Sequence, residues 1–366
     1  MHNRVLKTGD ILTVDGWVRG KILFGERILR IDGATVMSPE PPYILPGFVD
    51  LHCHGGGGHE VFQGSESILQ CAKTHAMHGT TSLLPTTITA PIDEIEFCLS
   101  EIALVEENQF RDVHGARIIG AHLEGPFINE KKLGAQPHYP IRADVGLLKR
   151  WSRMARIRVV TIAPEVADDQ FLTFAATHGA KFQIGHSASS FELASSLLSV
   201  GWGVTHLFNA MTPFRHRGNG VVGACFVKAN YAEVIPDLVH VEAGAILAAR
   251  RAVPFLYGVT DATAGAGAPD GLYSMAGRPA RKSGDAFRFL DGGLAGSCLT
   301  MDQALRNFVG IGFSLTEASQ MLSRIPADWI GESSLGRIEP NALADIVVLD
   351  DELSVAETFV GGQQVF

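Results

Sequence analysis

Two histidines one residue apart, His52 and His54, close a short apolar run, and four glycines, Gly55 to Gly58, follow them. Successive side chains on a strand alternate faces, so the two imidazoles project the same way and Cys53 projects the other. Imidazoles about 7 Å apart along one strand face can converge on a single ion. Taken alone, the pattern also fits two strand-end histidines bonded to nearby backbone. The rest of the chain favours the ion, because metal-ligand residue types recur where other apolar runs stop. These are His122-Leu123-Glu124, Pro164-Glu165, Gly185-His186-Ser187, Thr205-His206-Leu207, Asp237 with His240, and Thr260-Asp261. Chance could leave one histidine at a strand end, but the repetition points to a shared centre. Its donors are nitrogen and oxygen only. That suits zinc or iron, with cobalt or manganese also acceptable, rather than calcium or an iron–sulfur cluster.

The elements that must position these residues follow from the alternation of short apolar runs with amphipathic stretches, the pattern of parallel βα units. Eight candidate strands fall at 44–49, 81–85, 117–122, 158–163, 181–185, 203–207, 234–239 and 255–260. Helical segments are expected at 66–78, 92–107, 144–155, 169–178, 191–200 and 243–252, with a long glycine-containing loop instead of a helix over 209–233. Continuous apolar strands fit a closed (β/α)8 barrel of the TIM type, whose strands are buried on both faces. No GxGxxG follows the first strand, as an open nucleotide-binding sheet would require. Residues 266–296 read as an inserted hairpin region. Both ends of the chain are rich in short strands and turns, so residues 1–43 and 337–366 are expected to form one small β-sandwich domain. The barrel would occupy 44–336.

Composition excludes several classes. A net charge of −9 argues against a nucleic-acid or anionic-membrane surface. No run approaches the ~20 apolar residues that span a bilayer, and the first seven residues lack a signal peptide's apolar core. Five scattered cysteines without a CxxC suit reduced thiols, so a cytoplasmic location is expected. His2, His59, His75, His78, His114, His138, His178 and His216 are assigned no role, and Glu165 is left as a hydrogen-bonded barrel carboxylate.

Six stretches together are specific: 46–54 with its HxH, His122-Leu123-Glu124-Gly125-Pro126-Phe127-Ile128-Asn129, Gly185-His186-Ser187, Thr205-His206-Leu207-Phe208-Asn209-Ala210-Met211, Val259-Thr260-Asp261-Ala262-Thr263, and Gly296-Ser297-Cys298-Leu299-Thr300-Met301. On these the chain resembles the amidohydrolase superfamily and, within it, the N-acetylglucosamine-6-phosphate deacetylase family, over nearly its whole length. The resemblance implies that Glu124, His186 and His206 hold a principal divalent metal. It further implies that His52 and His54, sharing Glu124, make a second site, giving one or two ions per subunit. Such an ion lowers the pKa of bound water to roughly 7 and polarises the acyl oxygen. Asp261, near the metal, would take the water's proton and return it to the departing amine. His240 would help polarise the acetamide carbonyl. Arg217 would grip the sugar phosphate, Asn209 and Ala210 would add contacts to it, and Leu294, Ala295 and Gly296 would line the sugar pocket through backbone groups. A homodimer is implied, because the family arginine can reach a neighbouring subunit's site.

The sequence departs from the family pattern twice near the sugar. Ala135 and Gln136 are expected to bind the substrate, Gln136 standing where His is usual, and Leu238 stands where Gly is usual in the Asp237 to His240 stretch. The expected reaction is hydrolysis of N-acetyl-D-glucosamine 6-phosphate to the amino-sugar phosphate and acetate. N-acetylgalactosamine 6-phosphate or another N-acyl compound is the alternative substrate. A non-catalytic sugar-phosphate sensor is the reading from outside enzymes, and it expects lost ligands that are all present here.

Overall fold

The computed structural model describes residues 4–109 and 115–366, so His2 and His114 lie outside the described residues. Its centre is a (β/α)8 barrel. The eight strands are Phe48–Cys53, Thr80–Pro85, Ala121–Glu124, Ile157–Ile162, Lys181–Ile184, Gly203–Val204, Tyr231–Val234 and Phe255–Gly258, with Arg117–Ile118 preceding the third. Neighbours pair in parallel from the first to Arg117–Ile118 and from the third to the eighth. A bridge from Thr86 to His122 joins the two arcs, and one from Cys53 to Ala262 closes the ring. Most strand residues are buried on both faces, as the continuous apolar runs require. Several outer helices begin where a side-chain oxygen accepts a first-turn N–H: Asp144 from Leu147, Asp168 from Phe171, and Ser190 from Leu193.

The termini share a seven-stranded sheet. Ile346–Leu349 from the C-terminal end pairs antiparallel with Tyr43–Pro46 from the N-terminal end. The sheet curls over its own core, because Phe24 and Phe359 lie on strands far apart in its order yet meet with ring centroids 5.2 Å apart. The expected strand over 44–49 is in fact two. Tyr43–Pro46 belongs to this outer sheet, and the barrel's first strand begins at Phe48. Gly47 makes the crossing. A Cβ there would stand 2.2 Å from the Thr81 side chain, so only glycine lets the two sheets come this close.

Two other expectations are corrected. Gly220–Lys228 is a helix, not loop. It is apolar nearly all round and buries five residues, so it shows no amphipathic period. The seventh strand ends at Val234, and Asp237 and His240 lie on the turn after it. The insert after strand eight is a four-stranded antiparallel sheet, Gly271–Met275, Arg278–Ser283, Ala286–Phe289 and Leu294–Ser297, around Met275, Ala280, Phe287, Phe289 and Ala295. Its last strand returns to the barrel mouth, where Ser297 N donates to Asp261 O at 3.3 Å. No helix among the described residues is long and apolar enough to cross a membrane.

Candidate metal centre and active site

Glu124, on the third barrel strand, is the hub of a cluster buried at the barrel's C-terminal mouth. Its Oε1 lies 3.0 Å from His186 Nε2, 3.1 Å from His206 Nε2 and 3.5 Å from His52 Nε2. Its Oε2 lies 3.1 Å from His54 Nε2. The two imidazoles of each pair face one another: His186 and His206 at 3.1 Å, His52 and His54 at 3.2 Å between Nε2 atoms. Asp261 Oδ1 sits 3.4 Å from His52 Nε2 and 3.2 Å from His54 Nε2. The donors therefore form two triads that touch through Glu124. One is Glu124, His186 and His206; the other is His52, His54 and Asp261.

This donor set fits a divalent metal. Separations of 3.0–3.2 Å are near the edge, about 3.3 Å, of a tetrahedron with bonds of roughly 2 Å. Three of the four imidazoles are also turned the right way. Their Nδ1 atoms face oxygen acceptors: His186 the Lys132 carbonyl at 2.8 Å, His54 the Thr86 carbonyl at 3.2 Å, and His52 the Glu233 carboxylate at 3.1 Å. An Nδ1–H held outward leaves the Nε2 lone pair aimed inward, the usual arrangement behind a metal-ligating histidine. Without a cation, four such nitrogens and two carboxylates would have to share protons. Burial alone would keep His54 neutral, but hydrogen bonds and charge from Asp261 and Glu124 outweigh it and lift the imidazole to about 9. His52 rises well above its ordinary value for the same reasons. Burial opposes ionisation of Glu124 and Asp261 too, yet the charge of His52 and its neighbours holds both well below the usual carboxylate range.

The backbone around these residues is strained. His186, His206, Phe208, Ala210, Leu238 and Asp261 are non-glycine residues with φ between 25° and 83°. Such conformations cost of order 1–3 kcal/mol each and persist where surrounding structure enforces them. Two carboxylates supply part of that enforcement. Asp50, fully buried, accepts from Thr260 Oγ1 at 2.6 Å, Thr260 N at 3.2 Å and His52 N at 3.3 Å, tying strand one to strand eight. Burial pushes its carboxyl up to about 6 against those bonds. Glu165, left without a role above, gathers Asn129 Nδ2 at 2.9 Å, Ser187 Oγ at 2.8 Å, Ser189 Oγ at 2.7 Å and the Ala188 N–H. It thereby pins the loop after His186. Glu165→Ala should lower stability of the metal-stripped protein by about 2–4 kcal/mol, roughly one or two charge-assisted bonds, read by urea unfolding. A change under about 0.5 kcal/mol would show that the loop holds itself.

The residues expected at the substrate sit around this cluster with unequal claims. His240 is turned by Asp237, whose Oδ2 is 2.5 Å from its Nδ1 and whose Oδ1 accepts from His240 N at 2.8 Å. Burial lowers and Asp237 raises the imidazole, and Asp237 prevails. Asn209 folds back on the His206 carbonyl at 3.2 Å, and the Ala210 carbonyl accepts from Ser187 N at 3.1 Å. Leu294, Ala295 and Gly296 lie on the insert strand beside Asp261. Gly296 has φ +94°, and a Cβ there would stand 2.5 Å from Thr263. Gln136 is only 7% exposed, and both its polar ends are engaged. Its oxygen accepts from Thr89 N at 2.6 Å and its amide donates to Glu124 Oε2. Ala135 is half-buried beside it. Arg217 lies exposed in the loop before Gly220–Lys228 and pairs with no carboxylate among the described residues. Leu238, at φ +62° and 40% exposed, places an apolar side chain on the rim.

Sequence reasoning missed Asp50 and Glu233, and gave the buried His122, noted at the end of its strand, no role of its own. A lone Glu inside the apolar run Tyr231-Ala232-Glu233-Val234 was a signal, since unpaired charges are almost never buried.

A (β/α)8 barrel with this cluster at its mouth defines a metal-dependent hydrolase of the amidohydrolase class. The amidohydrolase family model matches residues 278–365. The N-acetylglucosamine-6-phosphate deacetylase of Bos taurus is 33% identical, over 99% of this chain and 94% of its own. The N-acetylgalactosamine-6-phosphate deacetylase of Escherichia coli O157:H7 is 32% identical, over 98% of each. Among solved structures, an aspartate-to-alanine variant of the Mycobacterium smegmatis N-acetyl-D-glucosamine-6-phosphate deacetylase, in complex with N-acetyl-D-glucosamine-6-phosphate, superposes with a TM-score of 0.88. That pair is 28% identical over 99% of both chains. The chain belongs to the N-acetylglucosamine-6-phosphate deacetylase family of amidohydrolases.

Proposed function

We propose that this protein hydrolyses the acetamide of N-acetyl-D-glucosamine 6-phosphate, giving D-glucosamine 6-phosphate and acetate. The observation that carries the reading is Asp261, a charged carboxylate beside the Glu124-centred cluster of four imidazoles. Glu124, His186 and His206 would hold the principal ion, and His52 and His54 with Asp261 a second. A divalent ion there supplies acidified water and polarises the acyl oxygen. Asp261 takes the proton from the attacking water and delivers it to the amine nitrogen, which leaves poorly as an anion. His240, oriented by Asp237, which also raises its imidazole, donates to the acetamide oxygen as negative charge develops on it. Arg217 offers a planar fork of donors to the 6-phosphate, as a neighbouring subunit's contribution in a homodimer. Asn209 and the Ala210 backbone join it at the phosphate. The insert strand at Leu294, Ala295 and Gly296 presents backbone groups to the sugar. Zinc or iron suits the donors best, and a cytoplasmic setting suits five free thiols.

The test is acetate release from a panel of N-acetyl sugars with and without the 6-phosphate. Release should require the phosphate and favour the gluco epimer. A preference for the galacto epimer would move the substrate to N-acetylgalactosamine 6-phosphate, and no release from any phosphorylated sugar would reject the reading. Arg217→Ala should raise KM for the phosphosugar by about ten- to a hundredfold, the loss of a charge-assisted phosphate contact, with kcat nearly kept. An unchanged KM would remove Arg217 from the site.

A further inference from the structure

Below the candidate metal centre, the barrel interior holds a ring of polar side chains that the reaction does not use. Glu233 is its only carboxylate. Glu233 Oε2 lies 3.1 Å from His52 Nδ1 and accepts from His206 N at 3.3 Å, while Oε1 accepts from Tyr257 Oη at 3.3 Å. From Tyr257 the ring runs through Gln183 at 2.6 Å, Thr205, Thr161 and His122, whose imidazole stands 4.5 Å from that of His52. Every member is fully buried. His122 offers His52 no competing hydrogen bond, because its Nδ1 faces the Leu51 carbonyl at 2.9 Å and its Nε2 the Thr161 hydroxyl at 2.8 Å.

The consequence falls on His52. Of the two histidines in the HxH pair, His54 has only a backbone carbonyl behind it, whereas His52 has a side-chain carboxyl group. A carboxylate on Nδ1 fixes the proton there, holds the ring's rotation and makes Nε2 a stronger donor to a cation. The same carboxylate touches the backbone of His206, a ligand of the other triad. We propose that Glu233 is the positioning residue that makes the second ion's site, acting through His52, and that it decides whether the chain holds two ions or one. This rests on the metal-dependent reading above and deepens it. Glu233 is assigned contact with neither substrate nor ion, and acts from behind His52.

The experiment titrates metal-stripped protein with Zn2+ alone and counts bound zinc per chain after free metal is removed. Melting of the stripped protein checks folding separately. Wild type should bind two equivalents. Glu233→Gln, which keeps the shape and removes the charge, should keep the first within about threefold and weaken the second by about 10–100-fold. Where His52→Asn has already removed the ligand, adding Glu233→Gln should change zinc binding no further. That double variant also relieves the buried pair on both sides, should the single variant not fold. Two tight equivalents in Glu233→Gln, or equal weakening of both, would overturn the proposal, the latter because it marks a merely structural role. A wild type that binds one ion, unaffected by Glu233→Gln, would overturn it and leave the metal-dependent reading intact. A wild type that binds none would remove both.

Discussion

Asp261→Asn is expected to lower kcat by about 10²–10⁴-fold, the usual worth of a positioned proton-transfer group, with KM changed only a few fold. The substitution keeps the side chain's volume and one oxygen, so contacts that merely shape the site survive. What it removes is the ability to accept a proton from water and return it to the amine. The structure makes Asp261 suited to that task by the company it keeps. It is the cluster carboxylate that retains some exposure, its side chain being 15% accessible against 1% for Glu124, so solvent and substrate can reach it. In the metal-stripped protein the charge of His52 and bonding from His54 hold it ionised against its burial. Because Asp261 also borders the second triad, zinc per chain must be measured beside the rate. A fall in kcat with zinc per chain unchanged assigns the loss to proton transfer. Activity within tenfold of wild type would move the base elsewhere, and the His240–Asp237 pair would be the next group to substitute.

How much of this was legible beforehand depended on how local each signal was. The βα alternation is a property of neighbouring residues, so the barrel could be read, and so could the return of the chain's end to its beginning. The crossing at Gly47 could not, because an unbroken apolar run does not say which of two sheets it joins, and the reason lies in Thr81 far along the chain. The helix Gly220–Lys228 was invisible because a helix apolar nearly all round carries no period. At the site, strand-end chemistry exposed Glu124, His186, His206 and Asp261. Their supports were harder to see. Glu165 and Asp50 act through bonds that span several barrel elements, and nothing in their own neighbourhoods announces those partners. Gln136 was readable only as a family position near the sugar, and its bonds to Glu124 and Thr89 were not.

Metal affinity should rise steeply with pH, because the ion and protons compete for the same nitrogens. In the metal-stripped protein His54 is raised from 6.5 to about 9, and His52 is raised well above 6.5. A histidine whose folded pKa exceeds its unfolded value contributes stability below the unfolded value and loses it as pH rises through the folded one. The His–carboxylate pairs therefore support the stripped protein fully below about pH 6.5 and progressively less toward pH 9. Metal reverses the balance, since it needs the neutral imidazoles and the ionised carboxylates together. Between pH 6.5 and 9 each displaced proton adds about tenfold to apparent affinity per pH unit. Loading the second triad displaces protons from His52 and His54, so its slope should approach two below pH 9 and lessen above it as His54 gives up its proton. The melting-temperature gain on adding zinc should widen over the same interval, and chelation should take activity to background throughout. Competition titration against a chelator at several pH values reads the slope, and calorimetry in buffers of different ionisation enthalpy counts the protons released. An affinity for the second equivalent that does not change between pH 6.5 and 8 would mean that His52 and His54 carry no displaceable protons. The second ion, if bound, would then have to be held by other donors.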